Sequence, residues 1–157
     1  MTNNEVNEIA KDLNKRFDEF LSNNDLDNFT SVNCKNCAGC VNSSNLYGTL
    51  KGPEKFKWII ESKCGYNNID LSTVLSDGNA ELDDWFKQIS KNATKYGKLP
   101  LLIWKKDYKS RIAFIRQDDF VWLLTTQINP FEYRFEYRDW VGISYDVLMT
   151  LEDKVFF

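Results

Sequence analysis

Apolar side chains recur along this chain with two different periods, and the alternation between them divides it into elements. Over residues 5–21, Val6, Ile9, Leu13, Phe17 and Phe20 stand three and four apart, which puts them on one face of a helix ending near Ser22, Asn23 and Asn24. A second helical stripe of Leu82, Trp85, Phe86, Ile89 and Ala93 predicts a helix over about residues 80–96, closed at Tyr96 and Gly97. Between the two stripes, residues 46–50 and 56–62 read as the strands of a hairpin turned at Gly52 and Pro53. Residues 99–104 predict a buried strand, paired with residues 111–116 across a turn at 106–109, and Asp118 or Asp119 then caps a short helix through 124. The stretches 23–44 and 64–79 show no period and read as loop and polar connection.

The end of the chain has its own pattern. Residues 131–138 repeat Phe-Glu-Tyr-Arg twice, so aromatic and charged positions alternate as in a half-buried strand. Such a strand serves as a sheet edge or core strand, as a dimer contact or as a stacking surface for bases. With Trp140, Tyr145, Phe156 and Phe157 nearby, this aromatic-rich extension either covers a face of the sheet or forms an interface.

At 157 residues and 43% hydrophobic content the chain has enough apolar surface for one compact domain over 1–157, with a core at about 5–124 and an extension at 125–157. The longest apolar run, near residues 99–104, is far short of a membrane span, and a soluble, intracellular (cytoplasmic) protein is expected. There is no histidine, which excludes Ser-His, Cys-His and His-metal catalysis and leaves carboxylates, lysine and metal. The net charge of −3 argues against a nucleic-acid partner until its distribution is considered. Residues 48–116 hold 13 Lys/Arg against 8 Asp/Glu, whereas residues 117–157 hold 3 against 8, so a basic region coincides with the hairpin.

That hairpin carries the candidate chemistry. Its second strand, Trp58-Ile59-Ile60-Glu61-Ser62-Lys63, ends on Glu-x-Lys, and side chains two apart on a strand project to the same side, so one carboxylate and one ammonium share a face. Together with Asn45-Leu46-Tyr47-Gly48 on the first strand, the helix over 80–96 and the segments 98–106 and 110–124, this resembles the PD-(D/E)xK nuclease superfamily, in particular its small Holliday-junction-resolvase-like and phage-type members. The resemblance spans roughly residues 5–124. It implies an α/β fold with a restriction-endonuclease-like core of helix, β-hairpin, helix and two further strands.

Carried over residue by residue, the resemblance implies that Glu61 is a metal ligand, that the Ser62 carbonyl assists it, and that Lys63 orients water or steadies the negative charge developing on the phosphate. Asn45 stands where the family has its metal-binding aspartate; it keeps one neutral oxygen and loses the charge that draws in a divalent ion. The resemblance further implies a first-helix glutamate facing the site, for which Glu8 is the first choice and Glu5 the second, and a glutamine in the later helix, Gln88. The implied cofactor is Mg2+ or Mn2+, the implied partner is DNA, branched DNA included, and the implied assembly is a homodimer. Two readings of function stay open: a metal-dependent DNA endonuclease, or a nuclease-derived DNA-binding or interaction protein inactivated at Asn45.

Cysteines form a second constellation. Cys34, Cys37 and Cys40 follow a C-x2-C-x2-C spacing and Cys64 directly follows Lys63, so a hairpin would return the fourth thiol toward the other three. Four thiolates suit Zn2+, and a close triplet with a remote fourth suits a [4Fe-4S] cluster. Free thiols are the third reading, and disulfides are disfavoured in a reducing compartment.

Overall fold

The computed structural model of the chain describes residues 2–31, 50–65, 68–126 and 133–157. The first amphipathic stripe forms α1 (Thr2–Arg16) and α2 (Asp18–Asn23), which are separated at buried Phe17, where the backbone leaves helical geometry. Two-residue strands β1 (Thr30–Ser31) and β2 (Leu50–Lys51) pair antiparallel. The main sheet contains β3 (Trp58–Cys64), β4 (Leu99–Lys105), β5 (Ile112–Arg116), β6 (Arg134–Tyr137) and β7 (Trp140–Ser144) in the order β3-β4-β5-β7-β6. β3 and β4 are parallel and every other neighbouring pair is antiparallel. The molecule is thus a mixed α/β protein with a five-stranded mixed sheet, consistent with a PD-(D/E)xK core.

Helices cover both faces of this sheet, which is why β3 and β4 read as nearly continuous apolar runs and not as alternating ones. On one face α1 buries Val6, Ile9 and Leu13 against Trp58 and Ile60 of β3 and Leu101 and Ile103 of β4. On the other, α4 (Ala80–Tyr96) buries Leu82, Trp85, Phe86 and Ile89 against Ile59, Leu102, Trp104 and Phe114. α4 begins where the Asn79 side chain accepts a hydrogen bond from the Leu82 N–H at 2.9 Å, and it ends at Gly97, whose φ of +62° is the left-handed conformation glycine adopts without strain. Because β4 follows that turn directly, α4 runs antiparallel to β3 and β4.

Several expectations are revised. The described end of the first hairpin strand, Leu50–Lys51, pairs with Thr30–Ser31 and makes no ladder with β3; positions 46–49 lie outside the described residues. Among the described residues β3 is therefore an edge strand. The polar connection at 64–79 contains a helix, α3 (Leu71–Asp77), which Asp70 caps by accepting from the Ser72 N–H; its burial of Val74 alone left no stripe to detect. The short helix after β5, α5, runs Gln117–Thr126. The alternating stretch near 131–138 forms β6 at the far sheet edge, with Phe135 and Tyr137 turned inward and Arg134 and Glu136 outward.

The aromatic extension does not sit beside the sheet but completes it, since β7 pairs along the whole of β5. After α6 (Tyr145–Leu148) and a 3-10 turn at Asp153–Val155, the C-terminal segment returns to the base of β3. There the Trp58 indole N–H donates to the Val155 carbonyl at 2.8 Å, and Phe156 packs edge-on against Phe17. Among the described residues no helix is long and apolar enough to cross a membrane.

Candidate active site

β3 sends Trp58, Ile60 and Ser62 toward α1 and Ile59, Glu61 and Lys63 toward α4, so the strand period alone sets the carboxylate and the ammonium side by side on the α4 face. Lys63 Nζ lies 2.9 Å from Glu61 Oε1. The two groups differ in exposure: the Glu61 side chain is 0% exposed and that of Lys63 is 17% exposed. The ammonium also sits 5.7 Å from the centre of the Trp85 ring on α4.

The electrostatic state of Glu61 is unusual for a structural residue. Both of its carboxylate oxygens are buried; Lys63 stands at Oε1, and Oε2 has no hydrogen-bond partner among the described residues. Burial pushes the Glu61 pKa above the ordinary carboxylate value, and the nearby Lys63 charge only partly opposes this. A buried carboxylate with one oxygen left without a partner costs stability, and such groups persist where a further partner completes them. A hard divalent cation is a partner of this type, because Mg2+ needs only one or two protein carboxylates and fills its remaining positions with water and phosphate. The donor set of Glu61 fits that role.

α4 supplies the neighbouring polar groups. A helix turns about 100° per residue, so Trp85, Gln88 and Asn92 fall within about 60° of arc on its β3-facing side. Strand rise of about 3.3 Å per residue puts Glu61 roughly 10 Å and Lys63 roughly 16 Å along β3 from Trp58. Helix rise of about 1.5 Å per residue puts Asn92, Gln88 and Trp85 roughly 6, 12 and 16 Å back from Tyr96. Because Leu99, three residues after Tyr96, pairs with Trp58, the two rulers start together, and the contact of Lys63 with Trp85 agrees with them. Gln88, half-buried, and Asn92, buried, therefore bracket the level of Glu61. Gln88 was expected here. Asn92 was missed, although a polar residue falling on the apolar stripe of Trp85 and Ile89 was a visible signal.

Other expected residues lie elsewhere or outside the described chain. Glu8 does not join the site: α1 covers the opposite face of the sheet, and Glu8 pairs with Lys11 at 3.0 Å in solvent. Glu5, the second choice, is buried on that same face, where it binds Arg111 and, at 3.2 Å, Lys105. Ser62 is nearly buried with its side chain toward α1, and a role for it rests on its carbonyl. Asn45, Cys34, Cys37 and Cys40 lie outside the described residues. Cys64 is half-buried opposite Lys105 with no disulfide among the described residues, where no three His, Cys, Asp or Glu side chains converge as a metal site.

Comparison with known proteins adds one match. A family model described as "Phage putative PDDEXK endonuclease" matches residues 3–154, nearly the whole chain. No curated protein and no solved structure matches it.

Proposed function

The chain belongs to the phage PD-(D/E)xK endonuclease family, and on that premise we propose that it is a divalent-metal-dependent endodeoxyribonuclease whose reaction runs on Glu61 and Lys63. The observation that carries this reading is the fully buried Glu61 carboxylate, with an ammonium at one oxygen and no hydrogen-bond partner among the described residues at the other, on the edge strand of the described sheet. When bound there, Mg2+ or Mn2+ supplies the activation of water and the neutralisation of phosphate charge that phosphodiester hydrolysis requires. Glu61 would hold the ion as an ionised carboxylate, with the Ser62 carbonyl and, by the resemblance, the neutral oxygen of Asn45 as the further protein ligands. Lys63, partly exposed, donates to the phosphate oxygen on which negative charge develops. Gln88 positions the phosphate or the attacking water from α4.

The resolvase-like members of the superfamily suggest a homodimer acting on branched DNA, since a junction presents two symmetric strands. Asn45 supports a second reading, in which the chain binds DNA without cutting it, because one carboxylate draws a divalent ion less strongly than two. Incubation of wild-type protein and Glu61→Gln with linear, nicked and four-way-junction DNA in Mg2+ or Mn2+ separates these readings. Cleavage by wild type and none by Glu61→Gln supports the nuclease. Binding without cleavage by wild type supports the second reading.

The four cysteines are proposed as a second site, for Zn2+ or a [4Fe-4S] cluster, on their spacing alone. Elemental analysis of protein purified without oxygen tests this, and metal-free protein with four titratable thiols sinks it.

A further inference from the structure

α4 carries its charges in two blocks. Its acids, Glu81, Asp83 and Asp84, fall in the first turns, and Lys87, Lys91 and Lys95 follow at intervals of four. A helix dipole favours this order, but it does not choose the side of the helix on which the lysines stand. Projected at about 100° per residue, Gln88, Lys95 and Lys91 step progressively away from Trp85, on the side opposite Phe86. Phe86 faces Phe114 of β5 and Trp140 of β7, whereas Trp85 faces Lys63 of β3. The exposed Lys91 and Lys95 therefore flank the outer edge of β3, next to Gln88. Lys87, further round, pairs with Asp84 at 3.8 Å, and neither Lys91 nor Lys95 has an ion pair among the described residues.

The loop before β3 extends the same surface. Lys98 Nζ donates to the carbonyls of Glu54, at 3.1 Å, and Phe56, which staples the segment bearing Lys55 to the start of β4. Tyr96 lines one hollow with Lys51 and Lys98, and the Lys95 ammonium stands 5.2 Å from its ring. Lys51, Lys55, Lys91, Lys95 and Lys98 thus lie across residues 50–57 and 87–98 with one acid, Glu54, whereas Lys57 turns away to the Lys154 carbonyl and the Trp122 ring.

We propose that the β3 edge is the DNA track. In this assignment Lys91 and Lys95, with Lys51 and Lys55, bind backbone phosphates of the strand leading from the scissile phosphate at Glu61 and Lys63. The proposal rests on the nuclease reading and adds to it the surface and the mode of contact. Exposed ammoniums one helical turn apart hold phosphates and read no base edges, so this track is sequence-independent.

Fluorescence anisotropy in EDTA, where no cleavage occurs, tests it with wild type, Lys91→Gln/Lys95→Gln, Lys91→Arg/Lys95→Arg and Lys87→Gln over a salt series. Loss of two phosphate contacts is expected to lower the slope of log K against log salt by about 2 for any DNA sequence. The Arg pair and Lys87→Gln should keep the wild-type slope, and thermal melts should coincide. An unchanged slope in the Gln pair, with DNA binding intact, overturns the track and leaves the nuclease reading standing. A wild-type protein that neither binds DNA in EDTA nor cleaves it in Mg2+ or Mn2+ overturns both.

Discussion

Lys63 Nζ stands 2.9 Å from Glu61 Oε1, yet that carboxylate is fully buried and its other oxygen has no hydrogen-bond partner among the described residues. The pair is thus an incomplete one. The lysine is close enough to hold part of the charge, and the desolvation of the carboxylate is left for another group to offset.

Glu61→Gln should stabilise the metal-free protein while removing metal-dependent cleavage. Folding raises the Glu61 pKa, so over the interval above the ordinary carboxylate value the folded state binds more protons than the unfolded state, and stability falls as pH rises. The Gln variant lacks this penalty. In EDTA its melting temperature should match wild type near pH 4 and exceed it near neutral pH, by about 2–4 °C for each kcal/mol removed. Saturating Mg2+ should reduce the gap, since an ion held by the charged carboxylate stabilises the wild-type fold by mass action. A difference that does not change between pH 4 and 8 would count against a strained Glu61.

Asn45→Asp should raise divalent-ion affinity and strengthen cleavage, because a second carboxylate would add charge at the position the proposed alignment gives to a metal-binding aspartate. Calorimetric titration with Mn2+ beside a junction-cleavage assay measures both. If neither wild type nor Asn45→Asp binds a divalent ion, the metal-dependent mechanism is wrong.

The glutamates of α1 should separate by their burial. Glu5 binds Arg111 and Lys105, and Arg111 also donates to Asp12 at 2.9 Å, so Glu5→Gln leaves two partly buried cations short of a partner. A loss of about 2 kcal/mol is expected, below the usual cost of breaking a fully buried pair because Lys105 is about one-third exposed. Glu8→Gln removes an exposed pair with Lys11 and should change stability by less than about 0.5 kcal/mol. Chemical denaturation measures both variants. A loss of cleavage by Glu8→Gln with unchanged stability would return Glu8 to the active site.

Gly142→Ala should destabilise the far edge of the sheet. Gly142 pairs with Phe135, and the Phe135 ring occupies the space a Cβ at 142 would take while standing edge-on to Phe114. Displacing the ring should cost about 1–3 kcal/mol, as overpacking generally does. Adding Phe135→Leu should cost less in the Gly142→Ala background than in wild type, and a double-mutant cycle by thermal melting reads that coupling. Additive effects would mean the ring does not depend on the glycine.

Much of the architecture was legible because its signals are local. The stripes through Val6, Ile9 and Leu13 and through Leu82, Trp85 and Ile89 are set by 3.6 residues per turn; the second became a helix on the expected residues, and the first became two helices divided at Phe17 instead of one over 5–21. The two-residue strand period likewise sufficed to put Glu61 and Lys63 on one side of β3, and the Phe-Glu-Tyr-Arg alternation to give a half-buried edge strand. α3 escaped because it buries Val74 and little else, so no stripe marked it.

What tertiary structure decided are the quantities that depend on segments distant in sequence. Burial of Glu61 requires α4 and β4 to close over β3, and no property of the Glu-x-Lys stretch reveals that, with Lys63 at one oxygen, the other is left there without a hydrogen-bond partner among the described residues. Glu5 and Glu8 sit alike on the helix sequence, and only the arrival of Lys105 and Arg111 from β4 and the start of β5 makes one buried and leaves the other in solvent. The same holds for charge: the sequence determined that its middle is basic and its end acidic, but the fold returns the C-terminal segment bearing Glu152 and Asp153 to the base of β3, so a distribution along the chain does not carry over into a direction across the molecule. Period and charge are properties of neighbours in the chain, whereas desolvation and field are properties of neighbours in space.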